Sequence, residues 1–476
     1  MTRLISIIIT LALALSMCTV PVGAAKTTKV WDGSVDTSWY TGKKTSYDIS
    51  KPSQLAGLSE LVNSGKSMEG ITINLTADLI MNDTTDWTSW DQKAPKNNFT
   101  PIGHPQSPIS GYYPFSGCFN GNGHSISGLY IKSYHTAGLF GYISNSIVTQ
   151  VIIKDSCIIA YDDGRKLVNK SVNAGAIAGL AENSVISRCE NSGRVYGWIT
   201  KELLSGRDIR VGGIAGAMEK VNLSEELLGL ALAAGGVFYN PAIITDGSGS
   251  RLKPSSIVDC INNGNVTAQG EGSQYSGGIL GLGQLGTIKN CLSLQPVYGK
   301  KSGAIIGITY NCYLSNCYKY SGLKAINGIG DNWSTSAAGK VTDNVEAKNY
   351  DEVTSKAFAK LLGTQFTYVT KDRPHLSCEK NISSGSSSSK SNSSSVSISK
   401  KNGKITLKWD KVSNAAGYRI CYLKSNGKYA VLTNTTSTSV TLKSLKSGTK
   451  YTMIIQAKFK DGTTETIPNG KFTFTA

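Results

Sequence analysis

From about residue 115 to residue 330 the apolar positions come in very short alternations, such as Ile126-x-Gly-Leu-x-Ile131 and Leu139-Phe140, with Gly and Asn between them. Runs this short are spaced like strands and are too brief for helices. Gly117, Gly121, Gly123 and Gly128, with Asn120 and Asn122 among them, read as tight corners, because Gly and Asn accept positive φ. A segment of this kind cannot bury its own apolar face and needs stacked copies of itself.

Those copies follow. A five-residue unit, small-small-apolar-x-Gly, occurs at Ala137–Gly141, Gly175–Gly179, Gly212–Gly216, Gly277–Gly281 and Gly303–Gly307. Cys189, Cys291 and Cys317 each lie 14 residues after the start of their unit, and Val151 takes that place in the first copy. Cys260 belongs to the same column, displaced by 34 inserted residues at about 220–254. Fixed spacing that tolerates inserts is the signature of a solenoid, and strands of three to five residues make it a parallel β-helix. A column that accepts Val is chosen for apolar burial, so the cysteines read mainly as stacked interior thiols, with disulfides between neighbouring coils as the alternative. Asn191-x-Gly-x-Val195 and Asn262-x-Gly-x-Val266 form another shared corner, where Asn can stack into a hydrogen-bonded ladder.

The flanks have other periodicities. Ser53 to Gly65 reads as a capping helix, with Ser53 as N-cap, Leu55, Leu58, Leu61 and Val62 on one face, and Gly65 as the stop. Glu352 to Gly363 reads as a second helix within a C-terminal cap. Residues 381–395 are a Ser-rich linker, and beyond them strands alternate with turns in the manner of a small β-sandwich. The expected order is a signal peptide at 1–25, an N-terminal cap with first strands at 26–110, the repeats at 111–330, a C-terminal cap at 331–380, the linker, and the sandwich at 396–476. The fold class is all-β with helical caps.

Composition sharpens this picture. In 476 residues there are 51 Gly and 22 Tyr, and the net charge is +17. Residues 391–476 carry 14 Lys and Arg against 3 Asp and Glu, so most of the excess sits on the sandwich. Arg3, the apolar run Leu4–Leu15 and the small residues Val22-Gly-Ala24 form an export signal. Leu15-Ser-Met-Cys18 resembles a lipoprotein box, but Met17 stands where a small residue is expected. No later segment is apolar and long enough to span a membrane.

Phe115-Ser-Gly-Cys-Phe-Asn-Gly-Asn-Gly-His-Ser-Ile-Ser-Gly-Leu129, the Gly-Gly-Ile-x-Gly units and the Trp31…Trp39-Tyr40 opening resemble the GLUG-type repeat proteins of bacterial surfaces, over roughly residues 30–380. Asn120, where that family usually has Asp, and the insert depart from its pattern. The resemblance implies a right-handed β-helix and an adhesin-like surface role, and brings no catalytic motif. Trp409, Gly417-Tyr418 and Leu445-x-x-Gly448-x-x-Tyr451 are similar to fibronectin type III modules, in which the tyrosine hydroxyl ties back to upstream backbone.

Candidate chemistry is sparse. Asp162-Asp163, followed by Gly164-Arg165, reads as a solvated turn, and Asp155 and Asp259 stand alone. His104, His124 and His135 read as packed or capping residues. No catalytic residue, metal site or cofactor is expected, and nucleic acid is disfavoured as a partner. Exposed aromatics stack on sugar rings, which makes Tyr196, Trp198, Tyr310, Tyr313, Tyr318 and Tyr320 the candidate ligand-binding residues. The expected function is an exported, monomeric, non-enzymatic interaction protein whose partner is an extracellular glycan, cell-wall polymer or host surface. A polysaccharide lyase or hydrolase and an inert spacer are the alternatives.

Overall fold

The computed structural model describes residues 29–107, 111–164, 171–200, 207–219, 255–323, 327–333, 343–370, 372–380 and most of 396–475. The expected export signal, the insert at 220–254 and the expected linker lie outside the described residues. The chain divides into two compact units, Met1–Gly385 and Ser386–Ala476.

The first unit is a parallel β-helix. One coil runs through five strands, Phe140–Ser144, Ile147–Thr149, Ile152–Lys154, Cys157–Asp162 and Val172–Gly175, before Ala178–Glu182 repeats the first of them a layer further on. Equivalent strands pair in parallel, giving five sheets, here numbered one to five in that order, of 6, 8, 8, 5 and 5 strands. The interior is a continuous file of apolar side chains, including Phe119, Val148, Ile186, Ile257, Ile288 and Leu314 in sheet two. The 14-residue offset holds because it spans the end of sheet five, sheets one and two, and their corners. The insert leaves after Glu219, at the end of a sheet-one strand.

The corners use αL residues, among them Asn145, Asn183 and Asn311 after sheet one, and Gln150, Arg188, Asp259, Asn290 and Asn316 after sheet two. The repeated glycines have a different cause. Gly277 and Gly303 lack positive φ, but a Cβ on either would lie 2.0 Å from a carbonyl oxygen, of Leu280 and Ile306 respectively. They are there for close approach of backbone to backbone. The column cysteines are buried and free, and each thiol points to a carbonyl of the coil before it, from Cys189 to Val148 at 3.9 Å through Cys317 to Ile288 at 3.5 Å. Val151 is buried in the same file. The asparagine ladder forms too: Asn191 Nδ2 donates to Asn262 Oδ1 at 2.8 Å.

Helix α1 (Pro52–Asn63) packs Leu55, Leu58 and Val62 over the first coil. It starts earlier than the Ser53 cap expected from sequence. Pro52 at the first helical position presets φ, and the Gln54 side chain accepts the Lys51 N–H.

The C-terminal segment does more than close the end. Glu346–Lys348 adds the last strand to sheet three, after which the chain turns back along that sheet's outer face. The single helix expected there is two: α2 (Tyr350–Val353), capped by Asn349, and α3 (Lys356–Leu362), capped by Ser355. Val353, Phe358, Leu362, Phe366 and Leu376 cover Ile152, Ile261, Leu292 and Tyr318. Successive contacts retrace the coils: Asn316 to the Leu361 and Leu362 carbonyls, Glu190 to Arg373, Lys154 to Glu379 at 2.8 Å, and Gly123 to Lys380. This strap gives sheet three a second, external core.

The second unit is a sandwich of a three-stranded and a four-stranded antiparallel sheet. Trp409 and Tyr418 anchor its core with ring centroids 5.3 Å apart, and Tyr451 accepts the Lys446 N–H at 3.0 Å, the expected tyrosine corner.

Candidate functional site: the outer face of sheet four

Strand alternation sends every second residue of sheet four outward, and parallel register stacks those residues in rows. One row holds Tyr130, Cys157 and Arg194. The next holds Lys132, Ile159, Tyr196, Thr267 and Tyr298, and the third Tyr134, Tyr161, Trp198 and Gln269.

The first row is covered by the protein itself. The loop carrying Trp87 and Trp90 lies on it, clamped at its ends by Asn82, which accepts from the Asn97 N–H and donates to the Asn97 carbonyl. Trp90 meets Tyr130 edge-on at 6.0 Å. Arg194 lies 5.7 Å from the Trp87 ring centre and pairs with Asp91 at 3.8 Å. The same loop reaches the second row, packing on Ile159 and against the half-buried Tyr196, and burial pushes both the Cys157 thiol and the Tyr196 hydroxyl up to about 12.

The third row is partly open. The ring centres of Tyr134 and Tyr161 lie 4.6 Å apart with the planes tilted by 57°, and those of Tyr161 and Trp198 lie 5.0 Å apart with a tilt of 32°. The exposed Lys132 places its ammonium 5.5 Å from the Tyr161 ring centre and 5.9 Å from that of Trp198, a cation–π arrangement. Two of the aromatics expected from sequence, Tyr196 and Trp198, are therefore on one face, joined by Tyr134, Tyr161 and Lys132. Those three were legible only through register: Tyr134 and Tyr161 fall at the strand position of Trp198, and Lys132 at that of Tyr196, which no single segment reveals.

The remaining four expected residues do not form a platform. Tyr310 ends a sheet-one strand, 5.3 Å from Trp333, and Tyr313 lies on sheet two, 56% exposed. Tyr318 and Tyr320 belong to sheet three. Tyr318 is only 3% exposed, with Phe358 of α3 5.0 Å above it, so its ring is closed to any ligand. The sequence showed their crowding along one coil but not that a coil turns through five faces.

The acidic pair is also placed differently from expectation. Asp162 is fully buried, forms an ion pair with Arg207, and lies 3.9 Å from His135 Nδ1. A buried carboxylate needs such a partner. Asp163 is half-buried and accepts from the Tyr134 hydroxyl. Asp155 and Asp259 are αL corner residues. His104 packs on Tyr113, His124 faces Asp78 at 3.3 Å, and His135 is itself an αL corner. Among the described residues no group of three or more His, Cys, Asp or Glu side chains could hold a metal ion.

The fold and this face define a two-unit all-β protein, a parallel β-helix with an aromatic outer surface followed by a fibronectin type III domain. Residues 392–469 match the family model described as the fibronectin type III domain. Halomucin of Haloquadratum walsbyi is 29% identical over 194 residues, or 40% of this chain, which spans only 2% of that relative's length. A Bacteroides ovatus structure described as an immunoglobulin A1 protease aligns at a TM-score of 0.41 and 18% identity, covering 70% of this chain and 92% of the other. No helix of the described residues is long and apolar enough to cross a membrane.

Proposed function

We propose that this chain is an exported, adhesin-like interaction protein of the GLUG type that binds glycan or a cell-surface polymer and catalyses nothing. The observation that carries the reading is the aromatic row Tyr134–Tyr161–Trp198 with Lys132, left partly open beside the ground that the protein covers with its own Trp87–Trp90 loop. Aromatic rings with polar rims suit sugars, which present apolar C–H faces and hydroxyl edges. The Lys-rich sandwich supports a further, electrostatic attraction to anionic wall polymer or host surface. A glycan array probed with residues 26–476 and with the Trp198→Ala variant tests this. Binding that weakens in the variant is expected, and no binding to any glycan would count against it.

A polysaccharide-degrading enzyme is the second reading, favoured by the gathering of Asp162, Asp163, His135, Arg207 and Tyr134 at one corner beside the row. Release of reducing ends or unsaturated products from acidic polysaccharides, lost in Asp163→Ala, would support it.

A further inference from the structure

We infer that sheet four carries a sugar-ring slot floored by Thr267 and Gln269, with Tyr196 and Trp198 as one wall and Tyr298 as the other, built for an uncharged pyranose unit of a polysaccharide. This rests on the glycan reading above and names the place and the ligand class.

Register supplies the geometry. Thr267 is the Cα partner of Tyr196 on one side and of Tyr298 on the other, and Gln269 is the partner of Trp198. Two aromatic walls are thus separated by one coil of small or flexible polar residues. Neighbouring strands lie about 4.8 Å apart, so walls two strands apart are separated by about 9.5 Å at the backbone. A ring held in van der Waals contact on both faces needs about 7–8 Å between the wall planes. A pyranose fits, with the Thr267 hydroxyl and Gln269 amide at its hydroxyl edge.

Three further observations agree. Tyr134 and Tyr161 pack against one another within the row, whereas Trp198 is the last ring of that row and has Gln269, not a fourth ring, beyond it. Gln269 is exposed and Tyr298 is 52% exposed. The rim is held low by Gly270, at φ +108, where a Cβ would lie 2.0 Å from the Ile199 carbonyl oxygen. The charges at the rim, Glu271 and Lys300, are opposite in sign, with the Lys300 ammonium reaching the Gly272 carbonyl, so stacking and hydroxyl contacts select the ligand, not net charge.

The test is isothermal titration of the 26–476 protein with soluble cello-, xylo- and manno-oligosaccharides and with an oligogalacturonate, each at low and high salt. Thr267→Trp fills the slot without removing a wall, and Tyr298→Ala removes a wall at an exposed position. An unchanged melting temperature confirms that each variant folds. The expected result is binding of a neutral oligosaccharide, little changed by salt, and weakened about tenfold or more in both variants (about 1.4 kcal/mol). Binding that both folded variants retain would overturn the slot and leave the glycan reading standing. Binding confined to the oligogalacturonate and abolished by salt would overturn the neutral-sugar assignment. Failure of the wild-type protein to bind any of these sugars would overturn the slot, and failure on the glycan array as well would remove the reading beneath it.

Discussion

At the scale of single residues, backbone proximity and interior packing explain the pattern that makes this chain unusual. The Gly-rich units look like turn chemistry, and at the αL corners that reading applies, although Asn, Asp, Gln and Arg do most of the work there. At the unit itself the constraint is distance. Gly277→Ala would drive a Cβ into the Leu280 carbonyl and is expected to cost about 1–3 kcal/mol or more, read as a fall in the denaturation midpoint of the β-helix. The cysteine column behaves in the opposite way. Because Val151 already occupies it, Cys260→Val is expected to cost less than about 1.5 kcal/mol, and Cys260→Asp to be severely destabilising because it buries an unpaired charge. Equal effects of Val and Asp would contradict the packing account. Burial holds the Cys189, Cys260 and Cys291 thiols far above their ordinary range, so alkylation of the native protein at neutral pH should leave them unmodified. What the residue pattern could show was periodicity, since spacing is written in the chain. Whether a glycine serves φ or proximity is decided by the neighbouring coil, which lies tens of residues away.

Elements raise a different question, namely which of them stack and which fold back. The coil strands and both helix ends marked by Gly65 and Gly363 were visible in the sequence, as was the tyrosine corner. Tyr451→Phe should lower the stability of the sandwich by about 0.5–1.5 kcal/mol, measured on the isolated unit's melting curve, through loss of one hydrogen bond. The strap was not visible, because its apolar residues read equally well as an end cap. Its ionic contacts make its attachment pH-dependent. Burial works against a charged Glu379, but the hydrogen bond to His375 and the Lys154 ammonium outweigh it and hold the carboxyl at about 2. Burial likewise works against a charged His375, and the hydrogen bonds to Asp372 and Glu379 prevail and raise it. The Glu379 contribution is complete above the ordinary carboxylate value of 4.5 and lost as pH falls towards 2. The His375 contribution is complete below the ordinary value of 6.5 and lost as pH rises through the raised one. Amide-exchange protection over residues 366–380 should therefore be greatest between about pH 4.5 and 6.5 and fall on both sides. Protection that stays level on both sides of this range would show that the apolar contacts of Phe358, Leu362 and Leu376 alone hold the strap.

For the whole molecule, function depends on which outer surfaces the chain leaves open. Sheet three is closed by the strap, and the first row of sheet four by the Trp87–Trp90 loop. The partly open aromatic rows lie at the edge of that covered ground. The sequence pointed to Tyr196 and Trp198 but scattered the remaining candidates over three other faces, because proximity along a coil is not proximity on its surface. On the proposed function, the rows of sheet four, and not the basic sandwich, bind sugar. The most direct test is intrinsic tryptophan fluorescence of the 26–476 protein titrated with whichever oligosaccharide binds best. The expected result is a saturable change in emission that disappears in Trp198→Phe and persists in a protein ending before residue 381. An unchanged titration in Trp198→Phe, or binding that requires residues 396–476, would contradict it.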